Sequence, residues 1–268
     1  MSSLVNTSSE WLRGYDERLD AQVRMVCFPH AGGSASFYRP WHQGLPPLVE
    51  LHAVQYPGRG ERRMAPLVDD VRTMAGHIVD DLAPLLDRPL ALFGHSMGAF
   101  IAYEAARLLE KRGAPPAHLF VSGQIAPSAP DDAGSGTVQT LGHPDVGIAD
   151  ADDEEVVRHL ERLGGTENEL LADPELREIF LPYIRNDFRM LQSYRPTVGP
   201  PLTTAVTALT GADDPMATPA LAAQWRDLTS SHFTLEVFPG GHFFLLSEQA
   251  AVLDLLATRL AACLEPTP

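Results

Sequence analysis

Gly94-His95-Ser96-Met97-Gly98 sets a serine between two glycines in the order G-x-S-x-G. An apolar run, Pro89 to Phe93, precedes it, and a long apolar-periodic stretch, Ala99 to Arg112, follows. That context predicts a sharp strand-to-helix turn holding the Ser96 hydroxyl at the end of a sheet, at the positive end of a helix. A serine held this way is a nucleophile for acyl transfer; the plainer alternative is a serine that caps the helix. Such a nucleophile needs a base, usually a histidine oriented by a carboxylate, and in one common arrangement the chain order is Ser, Asp or Glu, His. His242, in Pro239-Gly240-Gly241-His242-Phe243-Phe244, follows the last predicted strand and is the natural base. His30 and His95 read as wall or hydrogen-bonding residues beside the site. For the acid, Gly211-Ala212-Asp213-Asp214-Pro215 follows the penultimate strand, and Asp214 is the expected carboxylate. Asp213 is its neighbouring alternative, and Asp131 or Asp132, after an earlier strand, the more distant one. An acyl-transfer oxyanion also needs two fixed donors. The N–H of Met97 supplies one, and the glycine turn Pro29-His30-Ala31-Gly32-Gly33 supplies the other, through the N–H of Ala31.

The elements that would position these residues alternate along the chain. Short apolar runs at Val23 to Phe28, Leu51 to Tyr56, Pro89 to Phe93, His118 to Ser122, Thr203 to Thr210 and Thr234 to Phe238 predict strands. Helical spacing covers Val71 to Leu86, Ala99 to Arg112 (stopped at Gly113), Ala220 to Leu228 and Glu248 to Leu264. Strand, turn and helix in repeated order imply an α/β fold, a mostly parallel sheet covered on both faces. The alternation fails between Ala126 and Pro200. There a Pro/Asp/Gly/Ser stretch leads to two amphipathic segments, Glu154 to Leu163 and Glu175 to Tyr194, with Pro182 expected to kink or divide the second. The expectation is a single domain over 1–268 with a helical insertion at about 127–200. That insertion is either an ordinary helical subdomain or a mobile lid over a substrate pocket, and both can hold.

Composition narrows the function classes. The chain of 268 residues carries 20 Lys+Arg against 35 Asp+Glu, a net charge of −15, which argues against general nucleic-acid binding. With 44% hydrophobic and 21% charged residues it can fill a sizeable core. Its 2 cysteines, Cys27 and Cys263, are too few for a secreted disulfide framework and lack metal-ligand spacing, so no metal is expected. No signal peptide or bilayer-spanning run is legible, so a cytoplasmic protein without membrane attachment is expected.

Five motifs together resemble the stand-alone type II thioesterases of polyketide and nonribosomal peptide synthases, a branch of the α/β-hydrolase superfamily. They are FPHAGGSASFY (28–38), YPGRGER (56–62), GHSMGA (94–99), GADDP (211–215) and PGGHFFL (239–245), and they span nearly the whole chain. The resemblance implies an α/β-hydrolase fold with a helical lid. It places nucleophile, acid and base on Ser96, Asp214 and His242, and oxyanion donors on Ala31 and Met97. It implies hydrolysis of acyl groups from the phosphopantetheine thiol of acyl or peptidyl carrier proteins, without a cofactor; nothing in the sequence demands more than a monomer. Substrate contacts are expected from His30, Phe37, His95, Phe180, Ile184 and Phe243. Because carriers are usually acidic, a chain of this charge needs a basic patch to meet one, and Arg59, Arg62 and Arg63 are the candidates; as solvated loop charges they would do nothing.

Three other readings remain open on sequence grounds. A small-molecule serine esterase or peptidase would use the same triad and differ in substrate preference. A non-catalytic ligand sensor would have no need of all three residues. A product-releasing domain cut from a synthase is disfavoured by the initiating Met and by the lack of a carrier segment ahead of it.

Overall fold

Seven strands form one sheet: β1 (Leu12–Gly14), β2 (Val23–Phe28), β3 (Val49–Val54), β4 (Leu90–His95), β5 (His118–Ser122), β6 (Val206–Gly211) and β7 (Phe233–Phe238). Their spatial order is β1-β3-β2-β4-β5-β6-β7, with β1 antiparallel to β3 and every other pairing parallel. The computed structural model describes residues 9–127, 145, 147–164, 171 and 173–264. Around the sheet lie α1 (Trp41–Gly44), α2 (Val71–Asp81), α3 (Met97–Lys111), α4 (Asp153–Leu163), α5 (Pro174–Ser193), α6 (Pro219–Ala222), α7 (Phe244–Ser247) and α8 (Gln249–Ala262).

Strand β4 shows why the sheet is buried on both faces. Its residues alternate: Leu90 and Leu92 pack into the core beside α2 and α3, Ala91 and Phe93 into the core beside α1 and α8. All six residues of β4 are buried, so its sequence carries no polar alternation. The helical insertion joins the α2/α3 side. Val156 and Leu160 of α4, and Ile184, Phe188 and Leu191 of α5, belong to the same apolar cluster as Val26, Leu92 and Leu119 of the sheet.

The topology decides where a site can form. The chain steps outward from β2 to β3, then returns to place β4 on the other side of β2. Strand order therefore reverses between β2 and β4, and the loops leaving their C-terminal ends diverge to leave a crevice. Those loops carry His30–Gly33 and Ser96.

The structure departs from expectation in three places. Helix α2 stops at Asp81 and continues as a 3-10 turn over Ala83–Leu85, because Pro84 has no N–H for the next α-helical bond. Helix α5 instead runs unbroken through Pro182: the one bond that Pro182 cannot make is offset by burial of Leu181, Tyr183, Ile184 and Phe188 around it. Strand β1 went unseen, since its three residues, Leu-Arg-Gly, have no apolar alternation and take their conformation from pairing with His52, Ala53 and Val54.

Candidate active site

Ser96 sits at the β4–α3 junction with φ 53° and ψ −121°, the one non-glycine residue with positive φ among the described residues. Such a conformation costs on the order of 1–3 kcal/mol and persists because its surroundings leave no alternative. The flanking glycines are part of that constraint. A Cβ on Gly94 would lie 2.2 Å from the Gly98 carbonyl oxygen, and one on Gly98 would lie 2.0 Å from the Phe28 carbonyl oxygen. Strand and helix can cross at this distance with glycine at both positions and with nothing larger. The Ser96 N–H donates to the Ser122 carbonyl at 2.8 Å, tying the turn to β5. The Ser96 hydroxyl makes no capping hydrogen bond to α3, which sets aside the helix-capping alternative.

His242 lies beyond β7 in the turn before α7, and Asp214 lies beyond β6. Both are buried, and His242 Nδ1 stands 3.0 Å from Asp214 Oδ2 and 3.2 Å from Oδ1. A carboxylate can only accept, so Nδ1 carries the proton and Nε2 is left with its lone pair. Asp214 Oδ1 also accepts the N–H groups of Met216 at 2.8 Å and Ala217 at 3.3 Å. Burial would raise the Asp214 carboxyl, but the His242 bond and charge and these two backbone donors outweigh it and hold it below the ordinary carboxylate value. Asp213 next to it is exposed. Asp131 and Asp132 lie outside the described residues.

The first turn of α3 begins at Met97, whose N–H, like any at a helix N-terminus, has no intrahelical acceptor. Across the crevice the His30–Gly33 turn is closed by Gly33 N–H on the His30 carbonyl at 3.0 Å. Ala31 lines the same cavity as Ser96 and His242. His95 stands 5.0 Å, centroid to centroid, from His242 and pairs through Nδ1 with Ser122 Oγ at 3.0 Å. Burial first, then the neighbouring His242 and His30, push its imidazole well below the ordinary histidine value, so it is neutral.

The cavity itself is about 20 Å³, lined by His30, Ala31, Ser96, Asp145, Leu160, Leu163, Phe188, His242 and Phe243. That is room for about one water. Ser96, the His242 of a buried His–Asp pair and the Ala31 turn thus meet at one small, mostly apolar space, an arrangement suited to acyl transfer. The family profile of the thioesterase domain matches residues 23–260. The chain belongs to the thioesterase family. A probable cadicidin biosynthesis thioesterase of Streptomyces griseus is 41% identical over 261 residues, 97% of this chain and 68% of that protein. A thioesterase of Streptomyces venezuelae is 40% identical, over 89% of this chain and 81% of its own. Among solved structures, the type II thioesterase BorB of the borrelidin biosynthetic cluster superposes with a TM-score of 0.82 at 40% identity, over 93% of this chain and 97% of its own. This thioesterase is therefore a thioester hydrolase of the α/β-hydrolase fold, and its relatives include type II enzymes.

Several residues of the thioesterase stand elsewhere than sequence reasoning put them. Of the expected substrate contacts, His30 and Phe243 line the cavity, while Phe37 and His95 stand behind them: the Phe37 ring packs edge-on against His30 at 4.7 Å, and His30 against Phe243 at 4.8 Å. Phe180 and Ile184 do not line it. Positions 180, 184 and 188 follow one face of α5 at four-residue spacing, and Phe188, a turn beyond Ile184, is the one that reaches the cavity. Ile184 is buried against Gly32 instead, and Phe180 packs on Tyr183. Leu160, Leu163 and Asp145 were not anticipated as lining residues. The two leucines sat in the apolar stripe of α4, but no sequence signal marked Asp145, whose Oδ1 lies 2.7 Å from His159 Nε2 in a second buried His–carboxylate pair.

The basic loop requires a correction. Arg59 is 3% exposed and forms a bidentate pair with fully buried Asp187, so it is no docking charge. The reason is chain reversal at Gly58 and Gly60, both at positive φ, which turns the Arg59 side chain inward under α5. Arg62 lies over the Trp11 ring at 3.9 Å and donates to the Gln55 carbonyl, leaving little of it for a partner. Arg63 stays exposed. Among the described residues, no cluster of three or more His, Cys, Asp or Glu is arranged to hold a metal ion, and no helix is long and apolar enough to cross a membrane.

Proposed function

We propose that this thioesterase clears acyl groups from the phosphopantetheine thiol of carrier proteins on a polyketide or nonribosomal peptide synthase. Ser96 is the nucleophile, His242 the base, Asp214 its orienting acid, and the N–H groups of Ala31 and Met97 the oxyanion donors. The observation that carries this reading is the buried His242–Asp214 pair facing the same cavity as a strained, uncapped Ser96. The likeness to biosynthetic thioesterases supports the choice of substrate class.

In acylation, His242 Nε2 takes the Ser96 hydroxyl proton as Oγ bonds to the thioester carbonyl carbon. The carbonyl oxygen becomes an oxyanion held by the two N–H groups. The tetrahedral intermediate collapses with cleavage of the C–S bond, and the departing pantetheine sulfur takes the proton from His242. Water, deprotonated by the same imidazole, then attacks the acyl-Ser96 carbonyl; the C–O bond to Oγ breaks, His242 returns the proton to Ser96 Oγ, and the acid is released. No cofactor enters the scheme. A space for about one water holds no acyl chain, so the α4 and α5 side chains Leu160, Leu163 and Phe188 must give way to admit one.

The test is direct. Incubation with an acylated carrier protein should release free acid and free carrier thiol in equal amounts, and Ser96→Ala and His242→Ala should each abolish both. Release unaffected by Ser96→Ala would overturn the assignment.

A further inference from the structure

Asp187 is fully buried and Arg59 nearly so, yet neither pairs with Ser96 or His242. Arg59 Nε donates to the Pro57 carbonyl at 3.2 Å, within its own loop, and the other polar contacts of the pair lead to the turn that carries Ala31. Asp187 Oδ2 accepts the Gly32 N–H at 2.8 Å. The same carboxylate is clamped by Arg59, with Nη1 to Oδ2 and Nη2 to Oδ1 both at 2.7 Å. Arg59 Nη1 also donates to the Gly33 carbonyl at 3.0 Å, so the ion pair grips the turn from both sides. The guanidinium lies over the Tyr183 ring at 4.4 Å and the Tyr56 ring at 5.3 Å, and the Tyr56 hydroxyl donates to the Pro29 carbonyl at 3.2 Å. Ile184, three residues before Asp187 on α5, packs against Gly32, which stands at φ +82°. A desolvated ion pair this well satisfied is more than stability requires, since apolar residues of similar volume often serve as well.

We propose that Asp187, held by Arg59, is a positioning residue: by occupying the Gly32 N–H it turns the His30–Gly33 backbone so that the Ala31 N–H, and not that of Gly32, faces the oxyanion. The inserted helix α5 is then a working part of the oxyanion hole as well as a cover for the acyl pocket. This inference rests on the reading of Ser96 as nucleophile and Ala31 as oxyanion donor.

Two double variants separate aim from mere support, because each removes both buried charges together. Arg59→Met/Asp187→Leu deletes the acceptor for Gly32. Arg59→Gln/Asp187→Asn is also neutral but keeps an amide oxygen in its place. The apolar pair should lower kcat about 100-fold, the scale of losing one oxyanion donor, with KM within about threefold. The amide pair should restore most of that kcat. Equal kcat in the two folded variants would overturn the proposal. Should the apolar pair not fold, the wild-type enzyme decides: on binding a boronic acid that forms a tetrahedral anion on Ser96, the Ala31 amide proton should move downfield while that of Gly32 stays. Movement of Gly32 with Ala31 unchanged would overturn the positioning role alone. Loss of boronate binding to the Ser96 hydroxyl, with thioester hydrolysis intact in Ser96→Ala, would overturn the underlying reading and this inference with it.

Discussion

Replacing Asp214 with Asn should be nearly isosteric and nearly fatal to turnover, because of which atoms the carboxylate already serves. Its Oδ1 accepts two backbone N–H groups, from Met216 at 2.8 Å and Ala217 at 3.3 Å. An Asn side chain keeps both bonds only by leaving its oxygen there and turning its NH₂ toward His242 Nδ1. The flipped amide would set a donor against two donors and lose both bonds, a penalty of about 1–3 kcal/mol for each group left unpaired. With NH₂ facing it, Nδ1 must accept, so the imidazole proton moves to Nε2 and no lone pair remains for the Ser96 hydroxyl. Wrong-tautomer losses of this kind reach about 10⁴-fold in kcat, or about 5.5 kcal/mol of barrier. The assay is steady-state kcat and KM on an acyl thioester, with the melting temperature of each variant as the check on folding. Asp213→Asn, on an exposed side chain, should leave kcat within about threefold. A folded Asp214→Asn enzyme with kcat within tenfold of wild type would refute the argument, and a large loss in Asp131→Asn instead would move the acid there.

Three further outcomes follow from the same geometry. Gly98→Ala forces a Cβ to within 2.0 Å of the Phe28 carbonyl oxygen and should prevent folding, whereas Gly113→Ala, with φ +76° but open space around it, should cost about 1–2 kcal/mol; equal melting temperatures would contradict this. Phe188→Ala removes a wall of the cavity and should shift kcat/KM about tenfold toward longer acyl chains, at about 3–5 kcal/mol of stability; an unchanged chain-length profile would remove Phe188 from the pocket. His118, buried beside Thr207, has its pKa lowered from 6.5 to about 4, by burial first and then by the charges of Arg259 and His232. The unfolded chain therefore binds more protons between those values, so stability should fall as pH drops from 6.5 to 4, by up to about 3 kcal/mol. Chemical denaturation of wild type against His118→Gln across that range should show the difference shrinking at low pH; a constant difference would contradict it.

Sequence and structure agree wherever a local rule decides the outcome. The Ser96 elbow was legible because strand, Gly-x-Ser-x-Gly and helix lie within about twenty residues, and the glycines answer a steric demand that nothing else meets. Asp214 and His242 were legible because each follows a strand whose C-terminal end must face the crevice. What escaped depends on long-range packing. Arg59 reads as a loop charge until Asp187, far along the chain on α5, is brought against it. Phe188 rather than Ile184 lines the cavity because of where α5 sits along its own axis, and an amphipathic stripe carries no information on that. Strand β1 exists because β3 offers an unpaired edge, a fact held by β3 rather than by Leu-Arg-Gly.

The substrate proposed for Ser96 is an acyl thioester on a carrier protein. Its most direct test is a matched pair: one short acyl group carried on a phosphopantetheinyl carrier protein and on p-nitrophenol, with kcat/KM measured for both and Ser96→Ala as the blank. A clear preference for the carrier thioester is expected, despite the better leaving group of the ester. Preference for the simple ester, or equal values for both, would contradict it and assign the same triad to a general hydrolase.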